Sequence, residues 1–476
     1  MNTKAKNLLK NIHYTVTANV LVLTISVLLN LFVPKFIGVE DYSYWQLYVF
    51  YSSYVGFFHL GWLDGIYLKI GGKKYEELDK STLGSQFWYF FIFECGLSLV
   101  FSLFVCLLPI SEPKVPILLF TALVSIIRNC TTFILYILQS TNRIKEYAQV
   151  SRNDRYVYLV FLSVYLFYGG RNYLLLIQLD VLARLLVTIW GFLKLKDLFF
   201  SKPLSVSSLR QEIFHNVKVG SNLMISNIMG MLIIGVSRVL IELHWTVETF
   251  GKLSLTLGIS NLFMTFINAV GVVLFPLLRR TNPQKLSALY QTLRAVFVPI
   301  SYSLLLVYYP LKLILESWLP AYKQSFLFMG ILFPMILFEG RMSLLVTTYL
   351  KTIRKEKLIL SANVVALLFS VVGSFTAIFY LESLLGAVGI IVLSSAIRCV
   401  IGEILLARAI KLKIIKPLVI ELTLTIIFIF GNSWLRELTS FICYSSCFLV
   451  YVFYDRSSFL SNLKRLVRLS KVDQSQ

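Results

Sequence analysis

Long apolar runs, each broken by a short cluster of charged or turn-forming residues, repeat along the whole chain. Runs near 13–37, 44–68, 84–109, 117–140, 155–169, 174–197 and 216–241 are followed by others near 249–278, 292–316, 325–350, 358–380, 386–410, 414–434 and 438–455. A membrane-spanning helix needs about 20 predominantly apolar residues, so the pattern predicts an all-α polytopic membrane protein of about fourteen transmembrane helices. The fifth run is the shortest, and twelve spans is the alternative if the last two runs do not cross. Met1 to Asn11 is polar and basic and runs into the first apolar stretch without a small-residue cleavage site, which reads as a retained span rather than a signal peptide.

The segments between runs alternate in basic content. Lys4, Lys6 and Lys10 at the start and Arg456, Lys464, Arg465, Arg468 and Lys471 at the end fall on the same side as the other basic loops. Only Lys35, Lys114, Arg171, Lys252, Lys312, Lys323 and Arg436 fall on the opposite side. Cytoplasmic loops collect Lys and Arg, so both termini are expected in the cytoplasm, with a bacterial inner membrane as the location.

Composition excludes several classes. Of the 476 residues 57% are hydrophobic and 14% charged, against about 25% charged in soluble domains. Little chain is left for a domain outside the membrane. A net charge of +21 would point to nucleic acid in a soluble protein, but the loop asymmetry accounts for it here, and no nucleic-acid partner is expected. Cys95, Cys106, Cys130, Cys399, Cys443 and Cys447 lie in apolar runs without metal-like pairing to His13, His59, His215 or His244, so neither disulfide, metal nor cofactor is expected. There is no G-x-x-x-x-G-K-[ST] loop and no H-E-x-x-H, and the chain reads as a non-enzyme.

The two halves resemble each other. Val39-Glu40-Asp41-Tyr42 with Trp45-Gln46-Leu47 aligns with Val247-Glu248-Thr249-Phe250 and Leu253-Ser254-Leu255, at an offset of 208. The same offset puts Asn19 over Asn227, and with slight drift Arg128 corresponds to Arg341 and Arg184 to Arg398. An even number of spans per repeat gives both copies one orientation, with a pseudo-twofold axis along the membrane normal. The expected domains are a six-helix lobe over 1–197, a cytoplasmic linker over 198–215, a second lobe over 216–411, two extra helices over 412–455 and a basic cytoplasmic tail over 456–476.

Candidate chemistry lies inside the runs. Arg128, Arg184, Arg238, Arg341 and Arg398 are intramembrane by position, and an arginine at mid-membrane costs about 2.5 to 3.5 kcal/mol on insertion scales unless it faces water or a partner. Asp180 stands four residues before Arg184, Glu403 five after Arg398 and Glu339 two before Arg341, so structural pairing competes with ligand binding at each. Arg128 has no acidic residue in its own span. Among Asp64, Glu94, Asp180, Glu339, Glu403 and Glu421, Asp64 is the first choice for a coupling ion, H⁺ or Na⁺. It lies in Gly61-Trp62-Leu63-Asp64-Gly65, where glycines permit unwinding or close approach, although a cap role beside Lys69 and Lys73 competes. Tyr48, Tyr51 and Tyr54 form one face that offers hydroxyls and rings to sugars, against a packing role. Pro276, Pro299 and Pro334 are expected to interrupt their helices.

At Gly38-Val39-Glu40-Asp41-Tyr42, Gly61-Trp62-Leu63-Asp64-Gly65-Ile66 with Gly71-Gly72, and Leu138-Gln139-Ser140-Thr141-Asn142-Arg143-Ile144-Lys145-Glu146-Tyr147, the sequence resembles the polysaccharide or O-antigen flippases (Wzx-type) of the multidrug/oligosaccharidyl-lipid/polysaccharide exporter superfamily. The resemblance covers about residues 10 to 410. It implies two six-helix lobes around a cationic lumen lined mainly by spans one, two, seven and eight. Through that lumen a polyisoprenyl-diphosphate-linked oligosaccharide would cross by alternating access, with other polysaccharide assembly proteins as partners. The central arginines depart from this pattern, since of them only Arg238 falls on an expected lining span. A multidrug antiporter of the same superfamily and a membrane-embedded polysaccharide polymerase or ligase are the competing readings.

Overall fold

The computed structural model describes residues 24–280 and 282–472. Asn19 lies outside them. Every predicted run is met by a helix, and the chain is an all-α multi-pass membrane protein. The helices are α1 (Thr24–Ile37), α2 (Val39–Tyr54), α3 (Trp62–Ile70), α4 (Lys80–Leu107), α5 (Lys114–Ser140), α6 (Ile144–Phe167), α7 (Tyr173–Lys194), the one-turn α8 (Lys196–Phe199) and α9 (Val206–His244). They continue with α10 (Val247–Arg280), α11 (Leu286–Trp318), α12 (Ser325–Leu332), α13 (Met335–Thr352), α14 (Glu356–Tyr380), α15 (Leu384–Ala409), α16 (Ile415–Trp434) and α17 (Glu437–Val472). Among the described residues nine helices are long and apolar enough to cross a membrane, or ten if α12 and α13 form one bent span. Large apolar side chains such as Leu99, Leu103, Phe104 and Leu107 stand exposed along α4, as a lipid-facing stripe requires.

Two compact units divide at Ile228/Met229, inside α9. The first unit is centred on Trp62, Phe87, Phe90, Phe133, Ile134 and Phe199, where Phe192 stacks on Phe199 at 4.4 Å between centroids. Its second predicted span is two helices rather than one. After α2 the chain tightens into a 3-10 turn over Val55–His59, passes Leu60 at φ 49° and Gly61 at φ 82°, and resumes as α3. The expected close approach is present. A Cβ on Gly61 would stand 2.4 Å from the Ser221 backbone nitrogen, and one on Gly65 2.0 Å from the Asn216 carbonyl oxygen, so α3 meets α9 backbone to backbone.

The fifth run is longer than predicted. α6 begins at Ile144, eleven residues ahead of the predicted start at 155, and carries Arg152, Asp154 and Arg155 within it. Asp154 and Arg155 do not end the helix because they meet Arg184 and Asp180 on α7, and Arg152 lies over the Tyr156 ring of its own helix. The stretch expected as a linker over 198–215 is helical from Val206 onward, and only 200–205 lie between α8 and α9. Its polar residues pack: Glu212 accepts from Gln86 at 2.7 Å and pairs with Lys69 at 2.7 Å, and Asn216 donates to Gln86 at 3.0 Å.

The second unit repeats the local pattern of the first. α10 starts at Val247 as α2 starts at Val39, and Phe250 and Tyr42, at equivalent repeat positions, are both fully buried. Of the three prolines, only Pro334 interrupts a helix, at the 41° bend between α12 and α13. Pro276 and Pro299 sit inside continuous helices; one missing N–H is tolerated where the remaining ladder and neighbouring helices satisfy the backbone. α13 widens into a π-turn over Met342–Thr347. α17 runs on to Val472, so residues 456–472 of the expected tail continue the last helix.

Candidate functional site

Within the first unit, α2, α5, α6 and α7 bring polar side chains to one place. Arg184 on α7 forks onto Asp180 one turn earlier, at 2.7 Å through Nε and 3.2 Å through the second nitrogen, the spacing that sequence alone suggested. Tyr48 of α2 donates to the same Asp180 carboxylate at 2.7 Å. α6 adds Asp154, 3.7 Å from Arg184, and Arg155, 3.9 Å from Asp180 and 3.8 Å from Asp154. Arg128 of α5 donates to the Ser52 carbonyl at 2.5 Å and feels the charges of Arg184, Arg155, Asp180 and Asp154. Three guanidinium groups therefore face two carboxylates. The cluster keeps a positive surplus, and it opens toward the outside of the unit at Arg155, whose side chain is 39% exposed, while that of Asp180 is 7% exposed.

The second unit makes a different kind of cluster. Arg294 of α11 meets Glu403 of α15 at 2.6 Å and Glu421 of α16 at 2.8 Å; Arg341 of α13 meets the same two at 3.2 and 2.6 Å. Tyr290 donates to Glu403 at 2.8 Å, and Tyr302 donates to the Glu421 backbone carbonyl at 2.9 Å. Two arginines balance two glutamates, and all four side chains are buried. This is a neutral, closed network that joins four helices. Arg341 is thereby occupied, with partners other than Glu339, the one suggested by sequence. Glu339 instead pairs with Arg398 at 3.0 Å, and Arg398 also donates to Asn363 at 2.8 Å.

The remaining sequence candidates lie elsewhere. Arg238 of α9 donates to Ser254 at 2.9 Å and sits over the Phe250 ring at 5.1 Å. Tyr51 and Tyr54 are half-buried against Phe50, and Tyr54 also against Phe57, apart from the hydroxyl of Tyr48 that reaches Asp180. Asp64 accepts from Tyr136 at 3.1 Å and lies 3.8 Å from His59, while Lys69 turns to Glu212, so Asp64 is held within the α3–α5 contact. Sequence reasoning missed Asp154, Arg155 and Arg294. Asp154 precedes the predicted apolar run and Arg155 opens it, and the clue that they lie well inside the helix is the spacing of Val150, Tyr158 and Leu162, all buried on α6. Among the described residues no group of three or more His, Cys, Asp or Glu side chains is arranged to hold a metal.

No known family profile and no curated protein matches the sequence. Solved structures do. A lipid II flippase MurJ in an inward closed conformation superposes with a TM-score of 0.65 at 13% identity, covering 94% of this chain and 99% of that one. The chain shares its fold with solved transporters of the MOP superfamily. A multidrug resistance MATE family transporter of that superfamily, inward-facing, matches with a TM-score of 0.59 at 13% identity, over 81% of this chain and 94% of that one. Another MATE structure matches at 0.52 and 12% identity, over 84% and 96%. At these identities the likeness describes the fold alone.

Proposed function

We propose that this protein is a flippase of the polysaccharide or O-antigen type, carrying a polyisoprenyl-diphosphate-linked oligosaccharide from the cytoplasmic to the periplasmic leaflet of a bacterial inner membrane by ion-coupled alternating access. The observation that carries the reading is the surplus of guanidinium groups around Arg128, Arg155 and Arg184. A diphosphate crossing unaided would lose its hydration at a cost of many kcal/mol, and fixed arginine forks replace that water. The prenyl tail stays in lipid. The likeness to a lipid II flippase over nearly the whole chain supports the same substrate class.

In this reading Arg128 is the strongest ligand-binding group, since its guanidinium bonds a backbone carbonyl rather than a carboxylate, and Arg238, which donates to Ser254, is the second. Arg184 and Tyr48 position the first unit's cluster, while in the second unit Arg398 is held by Glu339 and Asn363 and Arg341 by its glutamates. The test is binding of a purified polyprenyl-diphosphate glycan. Arg128→Ala and Arg238→Ala weaken it severely, Lys at either position only partly restores it because the planar fork is lost, and protein level stays normal. Wild-type affinity in both alanine variants overturns the assignment. The likeness to a multidrug MATE transporter keeps a drug antiporter as the second reading. Expression in a flippase-null strain separates the two: restored surface polysaccharide supports the flippase, and drug resistance gained without it supports the antiporter.

A further inference from the structure

The first unit fully buries a carboxyl group that no lysine, arginine or histidine approaches among the described residues. Glu94, in the middle of α4, is fully buried. Its Oε1 accepts a hydrogen bond from the side-chain amide of Asn129 on α5 at 2.9 Å, and the same amide nitrogen donates at 3.1 Å to the carbonyl of Val55, the first residue of the 3-10 turn that breaks the second span. Asn129 is fully buried as well. Two acceptor atoms are left over. Glu94 Oε2 and Asn129 Oδ1 both lie out of contact with solvent and have no hydrogen-bond partner.

Those two leftovers are complementary in one protonation state. A carboxylic acid and a primary amide pair through two hydrogen bonds, amide N–H to acid C=O and acid O–H to amide C=O. The first is present, and the atoms that would make the second are the two without partners. A single proton on Oε2 satisfies both. Without it, two buried acceptors on the paired groups each carry an unmet hydrogen-bonding cost, larger for the charged one.

We propose that Glu94 is a proton-binding site, its acid form closing a two-bond ring with Asn129 and thereby holding Asn129 on the Val55 carbonyl at the break between α2 and α3. Loss of the proton sets a bare carboxylate oxygen against the amide oxygen. The amide then turns, and its bond to Val55 is released. The site is separate from the arginine cluster and does not depend on what the protein carries.

The surroundings admit this role. One turn along α4, Ser98 donates to the Ala122 carbonyl of α5 at 2.8 Å, which pins the two helices together beside the pair. The titratable groups near Glu94 are the thiols of Cys95 on its own helix and Cys130 on α5. His59, at the end of the 3-10 turn, is 3.8 Å from Asp64. On α8, Asp197 pairs with Lys80 at the far end of α4 at 2.7 Å, and Lys196 lies on that same short helix.

Infrared spectroscopy of the purified full chain in lipid nanodiscs tests the assignment. At neutral pH in sodium-free buffer the wild type shows a protonated carboxyl C=O band that shifts in D₂O and is lost in Glu94→Gln. Hydrogen exchange of residues 55–61, divided by the intrinsic base-catalysed rate at each pH, rises with pH in the wild type and stays flat in Glu94→Gln, whose amide can donate to Asn129 at every pH. Asn129→Ala is the second probe, because removing the donor to Oε1 moves the band to higher frequency. Absence of a band attributable to Glu94, an unmoved band in Asn129→Ala, or a carboxylate signal that instead responds to Na⁺ overturns the proposal.

Discussion

Arg341 of α13 and Glu421 of α16 meet at 2.6 Å with their side chains 3% and 2% exposed. The contact ties α16 into the network made by α11, α13 and α15, so the helix after the second repeat is part of that unit's interior. Tyr444 of α17 extends the tie by donating to the Tyr302 carbonyl at 2.9 Å.

Glu421→Ala leaves two buried arginines sharing one carboxylate. Breaking a buried pair costs about 3 to 5 kcal/mol, because the remaining charge is stranded. Folded yield and thermal stability in detergent are expected to fall sharply, and replacing Arg341 and Glu421 together by methionine is expected to recover much of the loss.

In the first unit, Arg184→Ala strands Asp180, whose other cationic neighbour, Arg155, is 3.9 Å away. Lower folded protein is expected, with rescue by the added Asp180→Asn change. Arg128→Ala, which removes a bond to a backbone carbonyl rather than a carboxylate, is expected to leave folded yield near wild type. Fluorescence-detected gel filtration compares the three.

The α3–α9 contact admits no side chain. Gly65→Ala places a methyl group 2.0 Å from the Asn216 carbonyl oxygen, and overpacking of this sort costs about 1 to 3 kcal/mol or more. Gly56→Ala meets nothing within 4 Å and is the control. A lowered melting temperature in the first and not the second is the expected result.

Asp79 caps α4, accepting from the Thr82 backbone N–H at 3.1 Å and from the Thr82 hydroxyl at 2.7 Å. Those hydrogen bonds, from the hydroxyl first and then the backbone, hold its carboxyl below the usual carboxylate range. A depressed carboxyl adds stability above its unfolded value and loses it as pH falls through its folded one. Asp79→Ala is therefore expected to cost about 0.5 to 2 kcal/mol near neutrality. The difference from wild type, measured by thermal melts, closes as the carboxyl protonates in acid.

Lys323 and Lys355 are exposed at opposite ends of the α12–α13 pair. In a background without native cysteines, a cysteine in place of Lys323 is expected to react with an impermeant maleimide on intact cells, and one in place of Lys355 only after lysis. The reverse pattern rejects the cytoplasmic placement of the termini.

Hydropathy made the all-α, multi-span character legible, and i,i+4 spacing made Arg184 with Asp180 legible, because both are properties of a single helix. The glycines around Asp64 also announced the break and the close approach. What stayed hidden depends on pairs of helices. Arg341 and Arg398 each had an acidic neighbour along their own helix, yet Arg341 takes Glu403 and Glu421 while Arg398 takes Glu339. Distances across a bundle leave no period in the sequence. Arg155 was hidden for a related reason: charge marks the edge of an apolar run, but a charge with a partner on the next helix can sit well inside one.

The interruption of the second span is shaped from outside. Adjacent residues on α5 serve its carbonyls, Arg128 that of Ser52 and Asn129 that of Val55. The kink is thus a joint possession of two segments, and it is not portable: residues 39–70 grafted into a scaffold without that turn of α5 would lose the donors that stabilise the opened backbone. Changes in α5 can accordingly retune the geometry of a helix they do not belong to, while the sequence of that helix stays the same.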